Sequence, residues 1–128
     1  MANEICGTHL IVDGQVIDSK VFERANLENL FKTLVTNLEM KLIWGPEFLE
    51  VEVEPEKLTG DSFRDEGGTS GFCMINKSHI AIHVWPLRKQ IMADLCSCDQ
   101  FDTILAMETL ESFLKFASST VQVVKRKP

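Results

Sequence analysis

Between Asn76 and Pro86 the chain reads NKSHIAIHVWP, which places a serine, two of the three histidines and one of the two tryptophans in one short run. The run otherwise has the composition of a β-strand, where side chains alternate between faces. That alternation puts His79, Ala81, His83 and Trp85 on one side and Ser78, Ile80, Ile82 and Val84 on the other. Cys96 and Cys98 share a face of the next predicted strand, so imidazoles and thiols could converge if the two strands are neighbours. Serine and cysteine are nucleophiles or proton donors, and histidine moves protons near neutral pH.

Three chemistries are open to such a set. The histidines and cysteines can be half-buried packing residues satisfied by the backbone. A His2Cys2 metal site from His79, His83, Cys96 and Cys98 is disfavoured, because structural zinc ligands pair across tight turns rather than at i and i+2 of a strand. Metal is therefore expected to be absent. A hydrolase built on Ser78 or Cys98 lacks both a glycine-rich elbow and a placed carboxylate.

The elements that must position these residues follow from periodicity. Ile5 to Val12 reads as a strand ending at the Asp13-Gly14 turn signal. From Val21 to Met40, apolar residues at Leu27, Leu30, Phe31, Leu34, Val35 and Leu38 predict an amphipathic helix, closed near Gly45-Pro46. Phe48 to Glu54 alternates cleanly, with Leu49, Val51 and Val53 opposite Glu50, Glu52 and Glu54. Residues 55 to 69 read as a loop, long enough to carry function. Gly71 to Ile75, Ser78 to Trp85 and Ile91 to Cys98 read as strands, Phe101 to Phe116 as a helix, and Val121 to Val124 as a short last strand. The fold expected is an α+β two-layer sandwich, a mainly antiparallel sheet covered on one face by two helices. The other face needs cover, which a homodimer packed sheet against sheet would supply.

At 128 residues, 45% apolar and 25% charged, the chain matches a single globular domain over 1–128. It has no run of membrane-spanning length and no basic-then-apolar leader, so a cytoplasmic location is expected, without membrane contact. The net charge of −6 argues against nucleic acid and favours a small cationic ligand over an anionic one. Lys125-Arg126-Lys127 reads as a solvated tail, and four cysteines in so apolar a chain are expected to be reduced.

Over a longer stretch, Gly68-Thr69-Ser70-Gly71, Ser78-His79-Ile80, Ile82-His83, Trp85-Pro86, Asp94 and Cys98 together resemble the prokaryotic S-adenosylmethionine decarboxylase proenzymes. Gly7-x-His9-Leu10 fits the same pattern. The resemblance implies self-cleavage between Lys77 and Ser78. The Ser78 hydroxyl would attack the Lys77 carbonyl, an N-to-O acyl shift would give an ester, and elimination followed by hydrolysis, with loss of the residue 78 nitrogen as ammonia, would release 1–77 and leave a pyruvoyl group at the start of the chain from 78 onward. His83 would move protons during processing, Ser70 would hydrogen-bond the oxyanion, and the pyruvoyl would form a Schiff base with the substrate amine. Cys98 would then be the proton donor, suited by a thiol pKa of about 8.5. Trp85 and Phe63 would bind substrate.

Two positions differ from the family pattern. Lys77 stands where glutamate precedes the processing serine. Leu87 stands where glutamate is associated with the substrate's ribose hydroxyls, and a leucine cannot accept those hydrogen bonds. The resemblance therefore implies decarboxylation of S-adenosylmethionine for spermidine and other polyamines. Leu87 keeps open a pyruvoyl-dependent arginine or ornithine decarboxylase, and Lys77 an unprocessed homologue acting as a binding or regulatory partner.

Overall fold

The computed structural model describes residues 7–52, 67–76 and 78–127. Its six strands are β1 (Gly7–Val16), β2 (Leu42–Val51), β3 (Gly68–Ile75), β4 (Ser78–Trp85), β5 (Gln90–Ser97) and β6 (Phe116–Arg126). They form one sheet in the order β2-β3-β4-β5-β1-β6, every pair antiparallel. Two helices, α1 (Arg24–Asn37) and α2 (Thr103–Leu114), cover one face of it. This is the expected α+β sandwich.

The core lies between helices and sheet. Alternation sends Leu10 and Val12 of β1, Ile80, Ile82 and Val84 of β4, and Ile91, Ala93 and Leu95 of β5 toward the helices, where all are essentially fully buried. From α1, Leu27, Leu30, Phe31 and Leu34 meet them at helical spacing, as do Ala106, Leu110 and Leu114 of α2. Burial of such aliphatic side chains contributes about 1.5 to 3 kcal/mol each, which holds the sheet and helices as one body. Asn37 Nδ2 donates to Thr109 Oγ1 at 3.0 Å, tying the helices together. The Asp102 carboxylate caps α2 by accepting the Leu105 N–H at 2.9 Å.

Several boundaries differ from the sequence reading, each for a packing reason. β1 does not turn at Asp13-Gly14 but runs on to Val16. Gly14 is there because the Phe116 ring occupies the space a side chain would need. α1 stops at Asn37, well before Gly45-Pro46, and Glu39 takes a left-handed conformation at φ 55°. Gly45-Pro46 lies inside β2, which starts at Leu42. In β2 it is Phe48 that packs edge-on against Phe31, centroids 5.6 Å apart, while Leu49 and Val51 stay exposed. Residues 53 and 54, and most of the expected loop over 55–69, lie outside the described residues. β6 is no short strand: its eleven residues pair along the whole of β1. Among the described residues, no helix is long and apolar enough to cross a membrane.

Candidate active site

β3 and β4 form a hairpin in which Ile75 pairs with Ser78, leaving Asn76 and Lys77 between them. Lys77 itself lies outside the described residues. Further up the hairpin Ser70 is directly opposite His83, and Ser70 Oγ and His83 Nδ1 are 2.7 Å apart. The chain can approach so closely because a side chain on Gly68 would collide with the carbonyl of Val84. Beside the pair, Gly67 to Ser70, His83, Val84, Trp85 and Val51 line a cavity of about 110 Å³. The Trp85 ring is tilted against His83 at 6.4 Å.

A second pair forms at the hairpin's corner. Ser78 is buried, 8% exposed, and its Oγ accepts the backbone N–H of Cys98 at 2.9 Å. The Cys98 thiol points to the carbonyl of Asn76 at 3.9 Å. β5 ends at Ser97, so Cys98 leaves the ladder and does not share a strand face with Cys96 as the sequence suggested. The chain neighbours of Cys98, Ser97 and Asp99, line a larger cavity of about 330 Å³ together with Asn76 and Phe101, and neither Ser78 nor Cys98 is part of that lining.

The chain thus brings Ser70 to His83 and Ser78 to Cys98, but it holds the two pairs apart. Five residues of extended strand separate Ser78 from His83, about 16 Å, and the alternation puts them on opposite faces. His83, Trp85, His79 and Ser70 lie on the face that no helix covers.

That open face carries further polar groups. His9 Nε2 lies 2.9 Å from Asp94 Oδ1, across β1 and β5. Cys96 is directly opposite both His9 and His79, and Arg126 Nη1 approaches its sulfur at 3.8 Å. The His79 ring stacks on Phe72 at 5.6 Å. Sequence reasoning noted His9 and Asp94 separately but missed their contact, since nothing local links residues 85 apart. Among the described residues, no group of three or more His, Cys, Asp or Glu could hold a metal ion.

Of the other expected site residues, Phe63 lies outside the described residues. Leu87 stands 68% exposed on the short turn Pro86–Arg88, outside the cavity beside Trp85. Cys73 is buried on the helix side, where desolvation pushes its thiol up to about 11, offset in part by a hydrogen bond with the backbone of Ile80. It is packing, not chemistry.

A crystal structure of the adenosylmethionine decarboxylase from Aquifex aeolicus VF5 superposes with a TM-score of 0.69 at 20% identity, over 96% of this chain and 92% of that one. The similarity establishes the shared fold. The family model described as S-adenosylmethionine decarboxylase matches residues 8–127, a span that contains both pairs, and the chain therefore belongs to the S-adenosylmethionine decarboxylase family.

Proposed function

We propose that this chain is a cytoplasmic, self-processing S-adenosylmethionine decarboxylase that cuts itself between Lys77 and Ser78 and supplies decarboxylated substrate for polyamine synthesis. The observation that carries the reading is the contact of Cys98 N–H with Ser78 Oγ at 2.9 Å, at the corner of a hairpin with two intervening residues. It supports the reading by bringing the backbone of Cys98 against the Ser78 hydroxyl, although twenty residues separate them.

The residues fit a pyruvoyl group at position 78. Ser78 is shielded from water, so its hydroxyl attacks the neighbouring carbonyl in competition with little bulk hydrolysis. The Cys98 amide already donates to that oxygen and can stabilise the alkoxide that forms when its proton leaves. Once formed, the group supplies an electron-accepting carbonyl to the substrate amine. Cys98 would deliver the proton that replaces the departing carbon dioxide.

In this reading a second copy covers the open face that carries Ser70 and His83. The open face exposes Trp44, Phe72, Met74 and Met92, each 38 to 49% accessible, and a second sheet laid against it would bury them. His83 would move protons, and Ser70 would fix its ring.

Intact-mass measurement tests the first step. Two fragments, 1–77 and 78–128 with a pyruvoyl-blocked start, are expected. A single 14.5 kDa species under conditions where a known proenzyme matures would refute it and leave the unprocessed regulatory homologue. A second substrate class rests on Leu87, which has no acceptor for ribose hydroxyls. Carbon dioxide release from arginine or ornithine, and not from S-adenosylmethionine, would establish it.

A further inference from the structure

The contact between Cys98 and Ser78 is set by the end of β5. Ser97 is the last residue of that strand and pairs with Thr8 of β1 on one flank. On the other flank the register with β4 ends at His79 and Cys96, so at Cys98 a side-chain oxygen, Ser78 Oγ, takes the N–H at 2.9 Å. That N–H is aimed by a single peptide unit. The Ser97 carbonyl and the Cys98 N–H belong to the same planar trans amide and point opposite ways, the carbonyl toward β1 and the N–H toward β4. Whatever holds one end of this unit therefore directs the other. At the β1 end the carbonyl lies over Gly7, where a Cβ would stand 2.8 Å from its oxygen, so only a glycine leaves it in place. Beyond the unit, the Ser97 hydroxyl accepts the Asp99 N–H at 3.1 Å and closes a turn around Cys98. The far side of the corner is held without these groups, since the Asn76 N–H donates to the Lys41 carbonyl at 3.0 Å.

We propose that Ser97 and Gly7 are positioning residues for the chemistry at position 78, fixing the Ser97-Cys98 peptide unit so that its N–H is aimed at Ser78 Oγ. The proposal rests on the roles assigned above to Ser78 and Cys98. Both residues act through the backbone of Cys98. Gly7 makes the space in which the carbonyl end of the unit lies, and the Ser97 hydroxyl keeps the chain from swinging once it has left the strand. Before the cut, the aimed N–H stabilises the Ser78 alkoxide. After it, the same turn keeps the Cys98 thiol at the corner where the proton is delivered. Losing the hydroxyl leaves the Asp99 N–H without its acceptor and lets the unit rotate, while a methyl on Gly7 pushes the carbonyl and turns the N–H off Ser78.

The test compares cleavage and turnover in the full chain for Ser97→Ala, Ser97→Thr and Gly7→Ala. Threonine keeps the hydroxyl, and its extra methyl has room because Ser97 lines the cavity of about 330 Å³. Ser97→Ala and Gly7→Ala are expected to cut about threefold to tenfold more slowly than the parent, the effect of one misdirected hydrogen bond, with Ser97→Thr within about twofold of it. In matured Ser97→Ala, kcat falls by a similar factor while KM stays, as a misplaced proton donor requires and a general loss of structure does not. Ser97→Ala cutting at the parent's rate, or Ser97→Thr as slow as Ser97→Ala, overturns the proposal. Should Gly7→Ala fail to fold, the two Ser97 variants decide. A parent that does not cut at all defeats the self-processing reading instead. Amide hydrogen exchange on the uncut chains then decides the positioning alone. The Cys98 N–H must exchange faster in Ser97→Ala than in the parent and in Ser97→Thr, with Leu95 in the ladder unchanged. Equal protection of Cys98 in all three overturns it.

Discussion

The Ser70–His83 contact makes the sharpest quantitative prediction, because one short bond joins two residues to which processing assigns one task. At 2.7 Å the bond fixes the imidazole, and the hairpin register sets the two residues directly opposite. Removing a proton carrier costs about 10² to 10⁴ in rate. His83→Ala is therefore expected to slow cleavage at Lys77–Ser78 at least 10²-fold, and Ser70→Ala by a comparable factor. If both act through their shared bond, the double variant should be little slower than the slower single one, leaving a coupling of about 2 to 3 kcal/mol, whereas independent effects would multiply. The assay follows loss of the 14.5 kDa chain with time after synthesis, using mass or gel separation. Since Ser70 and His83 are only partly buried and point to the open face, the variants should keep the thermal transition of the parent. Cleavage of Ser70→Ala within about twofold of the parent, or a fully multiplicative double variant, would refute the reasoning.

Two further outcomes follow from the second pair and from the core. Cys98→Ala keeps the backbone N–H that Ser78 accepts, so it should still cleave while decarboxylation falls about 10² to 10⁴-fold; Ser78→Ala should not cleave at all, and equal cleavage by both would contradict the roles. Cys73 is held protonated by burial, its thiol pushed up to about 11 from an ordinary 9.0. The unfolded chain ionises first as pH rises from 9 toward 11, so it binds fewer protons than the folded chain there, and Cys73's contribution to stability is full below pH 9 and is lost across that window. Denaturant titrations should show a shallower decline above pH 9 for Cys73→Ala than for the parent, and alkylation at pH 8 should reach Cys73 last among Cys73, Cys96 and Cys98.

The sequence made the central elements legible where burial on one face leaves a clean period. β4 runs over Ser78–Trp85 as read, and its alternation correctly separates His79, His83 and Trp85 from Ile80, Ile82 and Val84. The misreadings fall where a distant partner overrides a local signal. Asp13-Gly14 is a turn dipeptide in isolation, but the ring of Phe116, about a hundred residues on, takes up the space above the glycine and keeps the strand straight. Gly45-Pro46 reads as a helix stop, yet β3 recruits it into an irregular edge strand. The His9–Asp94 contact had no local trace at all, since it depends on β1 entering the sheet beside β5.

The separation of the two pairs follows from the same strand geometry that made β4 readable. A period of two residues forces Ser78 and His83, an odd number apart, to opposite faces, and the rise of the strand sets them about 16 Å from each other. No rotamer change closes such a gap, because the longest reach of a histidine is a small fraction of it. A second copy laid on the open face would lie over Ser70, His83 and Trp85, while Ser78 faces the helices, so that contact alone does not join the two pairs. The concentration dependence of processing in a variant weakened at Phe72 on that face decides whether a second copy takes part: a rate that rises with concentration ties the cut to the face contact, and a rate independent of it places the whole of the chemistry within a single copy.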